Sequence, residues 1–394
     1  MCGVFAFIGL YATQPLLPLF ARLFHASKAE VGLTVSATTL GVALSAPFVA
    51  SFAERLSRKR VIVCSVLALA VPTLLAATAG SLHALVFWRF LQGVVTPGIF
   101  ATTIAYITEQ WSRKSTSLVM SIYVSGTALG GFCGRIISGL AAHYLDWHWS
   151  FLLLGLMVLA GAAAVQRWLP KERQAALPAS GSEEEPQGEN SARVQLQQAG
   201  AHLRNPRLMA AYAVGFNVLF SLVAIFTYIT YYLSEPPFNL STVALSYLFV
   251  VYLVGLAVTP AAGWVIGRIG LRRGLLCSVL LSLAGVLTTL AHSLPVVVLG
   301  LALVCSGTFI SQATATSFLR DAASEGARVS AVGLYISCYY FGGTAAGVVP
   351  SYFWHLGKWP ACVAFISLLQ ISTMLIAWKG WRGTGFSNMS AGVV

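Results

Sequence analysis

Two arginines stand inside long apolar runs of this sequence. Arg89 lies in Arg89-Phe-Leu-Gln92-Gly93, with Thr96 one turn on. Arg135 follows a run of glycines, Gly126-x-x-x-Gly130-Gly131-x-x-Gly134-Arg135-x-x-x-Gly139. An arginine inside a membrane span costs about 2.5–3.5 kcal/mol on insertion scales and needs a polar partner or water. Arg89, Gln92 and Thr96 share one helical face by spacing. That face points to a polar pathway in which Arg89 tunes a proton site or binds an anionic group. The other reading is a structural arginine near the outer end of its span, satisfied by carbonyls. Arg135, a second cation beside a groove of small residues, is a better functional candidate than the glycines themselves. The glycines, four apart, allow close helix packing. Tyr11, Gln14 and Pro15, then Asn217, Tyr228 and Tyr231, then Ser311 and Gln312, are further candidates for lining a cavity. Buried amides need partners, which favours Gln14 and Asn217. Each tyrosine is as often an interfacial anchor.

The elements that must position these residues are membrane helices. The chain has 394 residues, 57% hydrophobic and 9% charged, with a mean hydropathy of +0.78. Soluble domains carry about 25% charged residues, so lipid is the natural solvent for most of this chain. Runs long enough to span fall at roughly 3–20, 30–52, 61–80, 84–107, 116–141 and 149–168, then 208–233, 241–265, 274–292, 294–317, 329–354 and 359–378, by the requirement for about 20 apolar residues each. The fold expected is all-α and polytopic, with about twelve transmembrane helices in two six-helix pseudo-repeats. Residues 1–169 form the first bundle and 207–380 the second. A polar linker, 170–206, expected to be disordered, holds Glu183-Glu184-Glu185, and 381–394 is a tail. The N-terminus has no basic region and no cleavage site of the signal-peptide kind. The chain begins almost inside its first span, which raises the expectation that its native start lies upstream of Met1.

The net charge of +12 is a topology signal rather than a nucleic-acid footprint. With both termini in the cytoplasm, the cytoplasmic loops hold the clusters Arg55-x-x-Arg58-Lys59-Arg60, Arg113-Lys114, Arg268 and Arg272-Arg273, and the linker adds more. The opposite side holds only Arg22, Lys28 and Lys358, as the positive-inside rule requires. The seven cysteines have no C-x-x-C spacing and read as small hydrophobes. No metal and no cofactor is expected. The halves repeat: Ile122-Tyr123-Val124-Ser125 recurs as Leu334-Tyr335-Ile336-Ser337, Gly130-Gly131 as Gly342-Gly343, and Arg58-Lys59-Arg60 as Leu271-Arg272-Arg273. Such duplication, with a midplane pathway between the halves, is a known transporter plan.

The loop Ala50-Ser-Phe-Ala-Glu54-Arg55-Leu-Ser57-Arg58-Lys59-Arg60, and its counterpart Gly263-Trp-Val-Ile-Gly267-Arg268-Ile-Gly270-Leu-Arg272-Arg273, resemble the G-x-L-a-D-R-x-G-R-R loop of the major facilitator superfamily. Ala50 and Ser57 replace glycines, Glu54 replaces Asp, and Gly267 stands where the second acid belongs. The Arg89 element resembles the family's R-x-x-q-G. The glycines of span five resemble the signature of its antiporter branch, with Gly131 in place of a proline; span eleven carries the related Gly342 and Gly343. The resemblance implies a conformational latch of Glu54, Arg55, Arg58, Arg60 and Glu109, with Gly263, Arg268, Gly270 and Arg272 as a weakened second copy. It implies that the span-five glycines pack against the other half. It also implies alternating rocking of the halves and, from the twelve-span drug and sugar efflux branch, export in exchange for protons. A monomer in a bacterial inner membrane, moving a small molecule, is the expected setting. No acid lies mid-span, which departs from many proton-coupled members. Glu30, Asp146, Glu235, His25, His83 and His143, near the outer face, remain as proton carriers. Two buried arginines without a buried acid hint at an anionic or amphipathic solute, moved as a facilitator or symporter if not by antiport. No Gly precedes a Ser-Gly pair by two residues, and H-E-x-x-H and the nucleotide-binding G-x-x-x-x-G-K-[ST] are absent. An enzyme is therefore disfavoured, and nothing resembles a soluble signalling domain.

Overall fold

The computed structural model describes residues 1–53, 57–111, 113–170, 202, 204–323 and 328–381. Glu54 and Arg55, the body of the linker and the tail from 382 lie outside the described residues. Nine helices are long and apolar enough to cross a membrane among the described residues. The remaining passes are span one, broken into Cys2–Phe7 and Leu17–Leu23 around a 3-10 turn at Gln14–Leu16, span five (Arg113–Tyr144), and span eleven, which begins with Arg328–Val348. Spans two, three and four are Lys28–Ala53, Arg58–Ala76 and Leu82–Gln110, and span six is Trp147–Trp168. In the second half, span seven is Pro206–Ser234, span eight joins Thr242–Tyr247 to Val251–Ile269, and spans nine and ten are Leu271–Thr288 and Leu294–Ala322. The helix Pro350–Gly380 is interrupted at Gly357 and at Lys358, whose φ is +52°. That interruption ends span eleven and starts span twelve.

Short polar signals set the span ends. Ser27 and Glu30 form a reciprocal cap before span two, with Ser27 N–H donating to the Glu30 carboxylate at 2.8 Å and Glu30 N–H to Ser27 Oγ at 3.2 Å. Asp146 and Ser241 cap spans six and eight through side-chain oxygens. Asn205 does the same for span seven, with Pro206 as its first residue. Spans eight and nine meet at Gly270, whose φ of +85° favours glycine. The two ends of the bundle are called here the linker end and the far end. Large apolar side chains such as Phe87, Leu156, Leu280, Leu299 and Leu368 are exposed around the outside. On a chain this apolar they form the lipid-facing surface.

The halves meet along two seams, span two against span eleven and span five against span eight. At the far end these seams are close. Gly32 faces Gly347 backbone to backbone, leaving no room for a Cβ at Gly32. Ser36 Oγ donates to the Thr344 carbonyl at 2.6 Å; farther along the same seam, past the middle of span two, Ser337 Oγ donates to the Ala43 carbonyl at 3.0 Å. Gly139 lies against Ser246 and Thr242. Toward the linker end Gly263, Gly267 and Gly333 have open space beside them.

Candidate functional site

A cavity of about 400 Å³ lies between the halves. Its first-half wall comes from Phe7 and Tyr11 of span one and from Val124, Thr127, Ala128, Gly131 and Arg135 of span five. Its second-half wall includes Leu219 and Leu222, Tyr252 and Thr259, Phe309, Gln312 and Thr316, and Tyr339 and Tyr340. Arg135 stands at its deep end, and the lining runs from there toward the linker end.

Arg135 is almost fully buried, and each of its ties is specific. Nε donates to Gln14 Oε1 at 2.8 Å, and Nη1 to the Gly131 carbonyl, one turn back, at 2.7 Å. The guanidinium carbon sits 4.9, 4.6 and 4.7 Å from the ring centres of Tyr11, Phe249 and Tyr252. Desolvated cation–π contacts contribute about 2 kcal/mol or more each, so these rings replace part of the water the charge gave up. Gln14 in turn donates through Nε2 to Thr227 Oγ1 of span seven, at 3.3 Å. A chain Arg135–Gln14–Thr227 thus crosses from one half to the other. It depends on the break in span one, because Gln14 opens the 3-10 turn there.

Arg89 is as buried as Arg135 but does not line this cavity. Its guanidinium donates to the carbonyls of Gly9 (2.6 Å), Leu10 (2.5 Å) and Thr34 (3.0 Å), and to Gln92 Oε1. Gly9 and Leu10 belong to the broken stretch of span one, where the Gly9 carbonyl keeps the Ala12 N–H and the Leu10 carbonyl takes its hydrogen bond from Arg89. The geometry favours the structural reading of Arg89 and Gln92 over the pathway reading. Thr96 Oγ1 is bonded back to the Gln92 carbonyl within its own helix.

The other candidates separate in the same way. Tyr11, Gln312 and Gly131 line the cavity with Arg135. Asn217 lies inside the second bundle, donating to Thr373 Oγ1 at 2.9 Å, beside a small polar void shared with Ser221, Ser282 and Gln370. Tyr228 donates to the Gly347 carbonyl at 2.9 Å, near the far end. The span-five glycines were expected to meet the other half. Gly130 and Gly134 instead admit the backbone of span one at Val4 and Ile8, and Gly126 touches Val4 at ordinary distance; only Gly139 meets span eight. The broken first span needs a groove, and its own half supplies it. Gly342 likewise receives span seven of its own half at Phe216, while Gly343 touches both Leu219 and Thr39 of the first half.

At the linker end Arg58 and Glu109 form the expected pair, bidentate at 2.9 and 3.3 Å. Both belong to the first half, so this pair ties span three to span four and does not itself bridge the halves. Arg60 is exposed. In the second half no acid among the described residues forms a salt bridge with these cations: Arg268 lies 3.5 Å over the Trp264 ring and Arg272 4.0 Å over Trp378. Aromatic faces stand in for the acid that Gly267 replaces.

The outer acids have structural partners. Glu30 and Asp146 are helix caps. Glu235 pairs with Lys28 (3.7 Å) and Lys358 (3.4 Å), and Lys28 Nζ also lies over Tyr231 (5.1 Å) and Trp354 (4.8 Å). Lys28 opens span two, so a first-half cation is seated in a second-half cage at the far end. That cage, and the cavity rings of Tyr252, Tyr339 and Tyr340, escaped the reading of the sequence. The signal for the rings was their mid-span placement, far from the interfaces where tyrosine anchors belong.

The model of the family described as the Major Facilitator Superfamily matches residues 1–347. The chain belongs to the major facilitator superfamily. It is 31% identical to the uncharacterized MFS-type transporter YybF of Bacillus subtilis over 95% of this chain and 90% of that one. It is 29% identical to the inner membrane transport protein YnfM of Escherichia coli over 95% of this chain and 87% of that one. Among solved structures it resembles an inward-facing, occupied bacterial homologue of the human lysosomal transporter Spinster, with a TM-score of 0.73 over 97% of this chain and 95% of that one. At 16% identity this likeness shows the fold alone. This superfamily chain is therefore an integral membrane transporter of a small solute, not an enzyme.

Proposed function

We propose that the chain is an exporter working by alternating access, with the solute bound in the cavity around Arg135. The observation that carries this is the position of the cavity between the halves, below a far-end seam closed by Gly32 against Gly347. Rocking of the halves about such a site exposes it to one side at a time. Solute held by the free side of Arg135 rests on a guanidinium that Gln14 anchors, and Gln14 also holds Thr227 of the opposite half. Occupancy is thereby linked to the contact between halves. The linker end is read as cytoplasmic, with the family.

Export in exchange for protons is what the antiporter-like glycine pattern suggests. One observation favours a second reading, movement without a counter-flowing proton. The described lining contains no Asp, Glu or His, so the solute would meet no ordinary proton-binding side chain there. Proteoliposomes containing a pH dye, loaded with a broad solute panel, test both readings. Solute flux lost in Ala128→Trp, which fills the cavity, supports transport through this site. Accompanying pH change supports antiport, and its absence supports the second reading. No flux for any solute sinks the proposal.

A further inference from the structure

Arg135 brings a full positive charge to a cavity wall that contains no counter-ion. A guanidinium has five N–H donors, and protein acceptors engage Nε and one hydrogen of Nη1. Nη2 has no hydrogen-bond acceptor among the described residues, while the residue itself lines the cavity. Across the cavity Gln312 offers an amide, while the hydroxyls of Thr127, Thr259 and Thr316 donate to carbonyls of their own helices. The rest of the wall is largely apolar or aromatic. Arg89, the other buried cation, differs in that carbonyls and Gln92 occupy all three of its nitrogens. Carbonyl dipoles satisfy a structural arginine; the free fork of Arg135 matches an oxyanion with two adjacent oxygens, which it can bind through two parallel bonds.

We propose that the solute is a monovalent organic anion, its oxyanion bound by the free Nη2 side of Arg135 and its apolar body lying against the Tyr11, Tyr252, Tyr339 and Tyr340 side of the cavity. The cavity volume lies in the range of pockets that enclose a drug-sized molecule. The proposal rests on the reading of the cavity as the transport site, and it adds a driving force. A bound anion cancels the charge of Arg135, so the loaded core is close to neutral and the empty core is positive. Each cycle without a proton moves one negative charge. A potential of 100 mV then holds roughly a fifty-fold gradient of the anion, accumulated on the positive side. A cell that is negative inside expels such a solute without any proton carrier, which fits a lining that lacks one.

The test uses matched sets of naphthalene and alkyl compounds, each differing only in its head: sulfonate, sulfonamide and ammonium. Binding to the full-length purified protein is measured by calorimetry. The same compounds are followed in proteoliposomes under valinomycin-imposed potassium potentials of either sign. The expected result is that sulfonates bind more tightly than their neutral and cationic partners. Their flux reverses with the sign of the potential. Arg135→Gln loses affinity about 10- to 100-fold, the range of a hydrogen bond to a charged group, and Arg135→Lys retains the preference for anions with weaker binding. If no sulfonate binds more tightly than its sulfonamide, the proposal is overturned, and the wild-type comparison stands even should the variants fail to fold. Anions that bind but never cross at either potential would sink the transport reading and leave the anion site. Neutral or cationic compounds that cross, unaffected by Arg135→Gln, would do the reverse.

Discussion

Arg89 and Arg135 both reach the broken first span, and replacing them should have different consequences. Arg89→Gln strips donors from the carbonyls of Gly9, Leu10 and Thr34. Each buried acceptor left without a partner costs about 1–3 kcal/mol. Gly9 keeps the Ala12 N–H and Thr34 the Thr38 hydroxyl, so Leu10 is the acceptor left bare and the expected outcome is a loss of roughly 1–3 kcal/mol in stability, seen as a lowered thermal unfolding midpoint in detergent before any transport is assayed. Arg135→Gln should unfold near the wild-type temperature and fail in solute binding. Gln14→Leu tests the link between them: it removes the acceptor for Arg135 Nε and the bond to Thr227. A fall in solute affinity of about 10-fold or more is expected, and unchanged affinity would show that Gln14 does not position the arginine. Sequence spacing identified both arginines as buried cations but gave no means of telling them apart. What separates them is the set of backbone carbonyls around each, and those are exposed by a helix break that Gly9 and Pro15 permit but whose partner neither residue specifies.

At the scale of elements, small residues decide how closely spans approach. An added Cβ at Gly32 would meet the Gly347 backbone, so Gly32→Ala should weaken far-end closure while leaving each half folded. Lys28→Ala should act in the same direction by emptying the cage of Tyr231, Trp354 and Glu235. Spin-label distances across the far-end seam should lengthen in both variants; an unchanged distribution would mean that the seam is held elsewhere. The Arg58–Glu109 pair is a weaker tie, since Glu109 is 47% exposed. A double-mutant cycle on thermal stability is expected to give a coupling of about 1 kcal/mol or less. The spans could be read from hydropathy, because lipid enforces length and apolarity on every helix that crosses it. The partner of each glycine face could not. Gly130, Gly134 and Gly139 lie on one helix at similar spacing, yet the first two receive span one and the third receives span eight. That choice is made by the three-dimensional path of span one.

For the whole molecule, the division of labour is between a closed end built from backbone contact and a central chamber carrying one unbalanced charge. The repeat that made the two halves legible also shows where they have parted. The first half keeps an acid, Glu109, opposite its basic loop, whereas the second half rests Arg268 and Arg272 on tryptophans. Ionic strength should therefore perturb the two linker-end loops unequally, weakening the first and sparing the second, as screening acts on exposed ion pairs. Hydrogen exchange of the two loops at low and high salt would show this difference, and equal responses would contradict it.

The dependence of span one on Arg89 also sets an order of events during synthesis. The Leu10 carbonyl enters the lipid long before its donor exists, since Arg89 follows Gln14 by roughly 75 residues, a delay of about 4–15 s at ordinary translation rates. Until then the first span cannot adopt its final shape without exposing backbone groups to hydrocarbon. It must wait as a straight helix, or beside the insertion machinery, and bend only when span four arrives. Ribosome-stalled chains ending before and after residue 89 should therefore differ in the crosslinking of span one to the translocon, with release only in the longer chain.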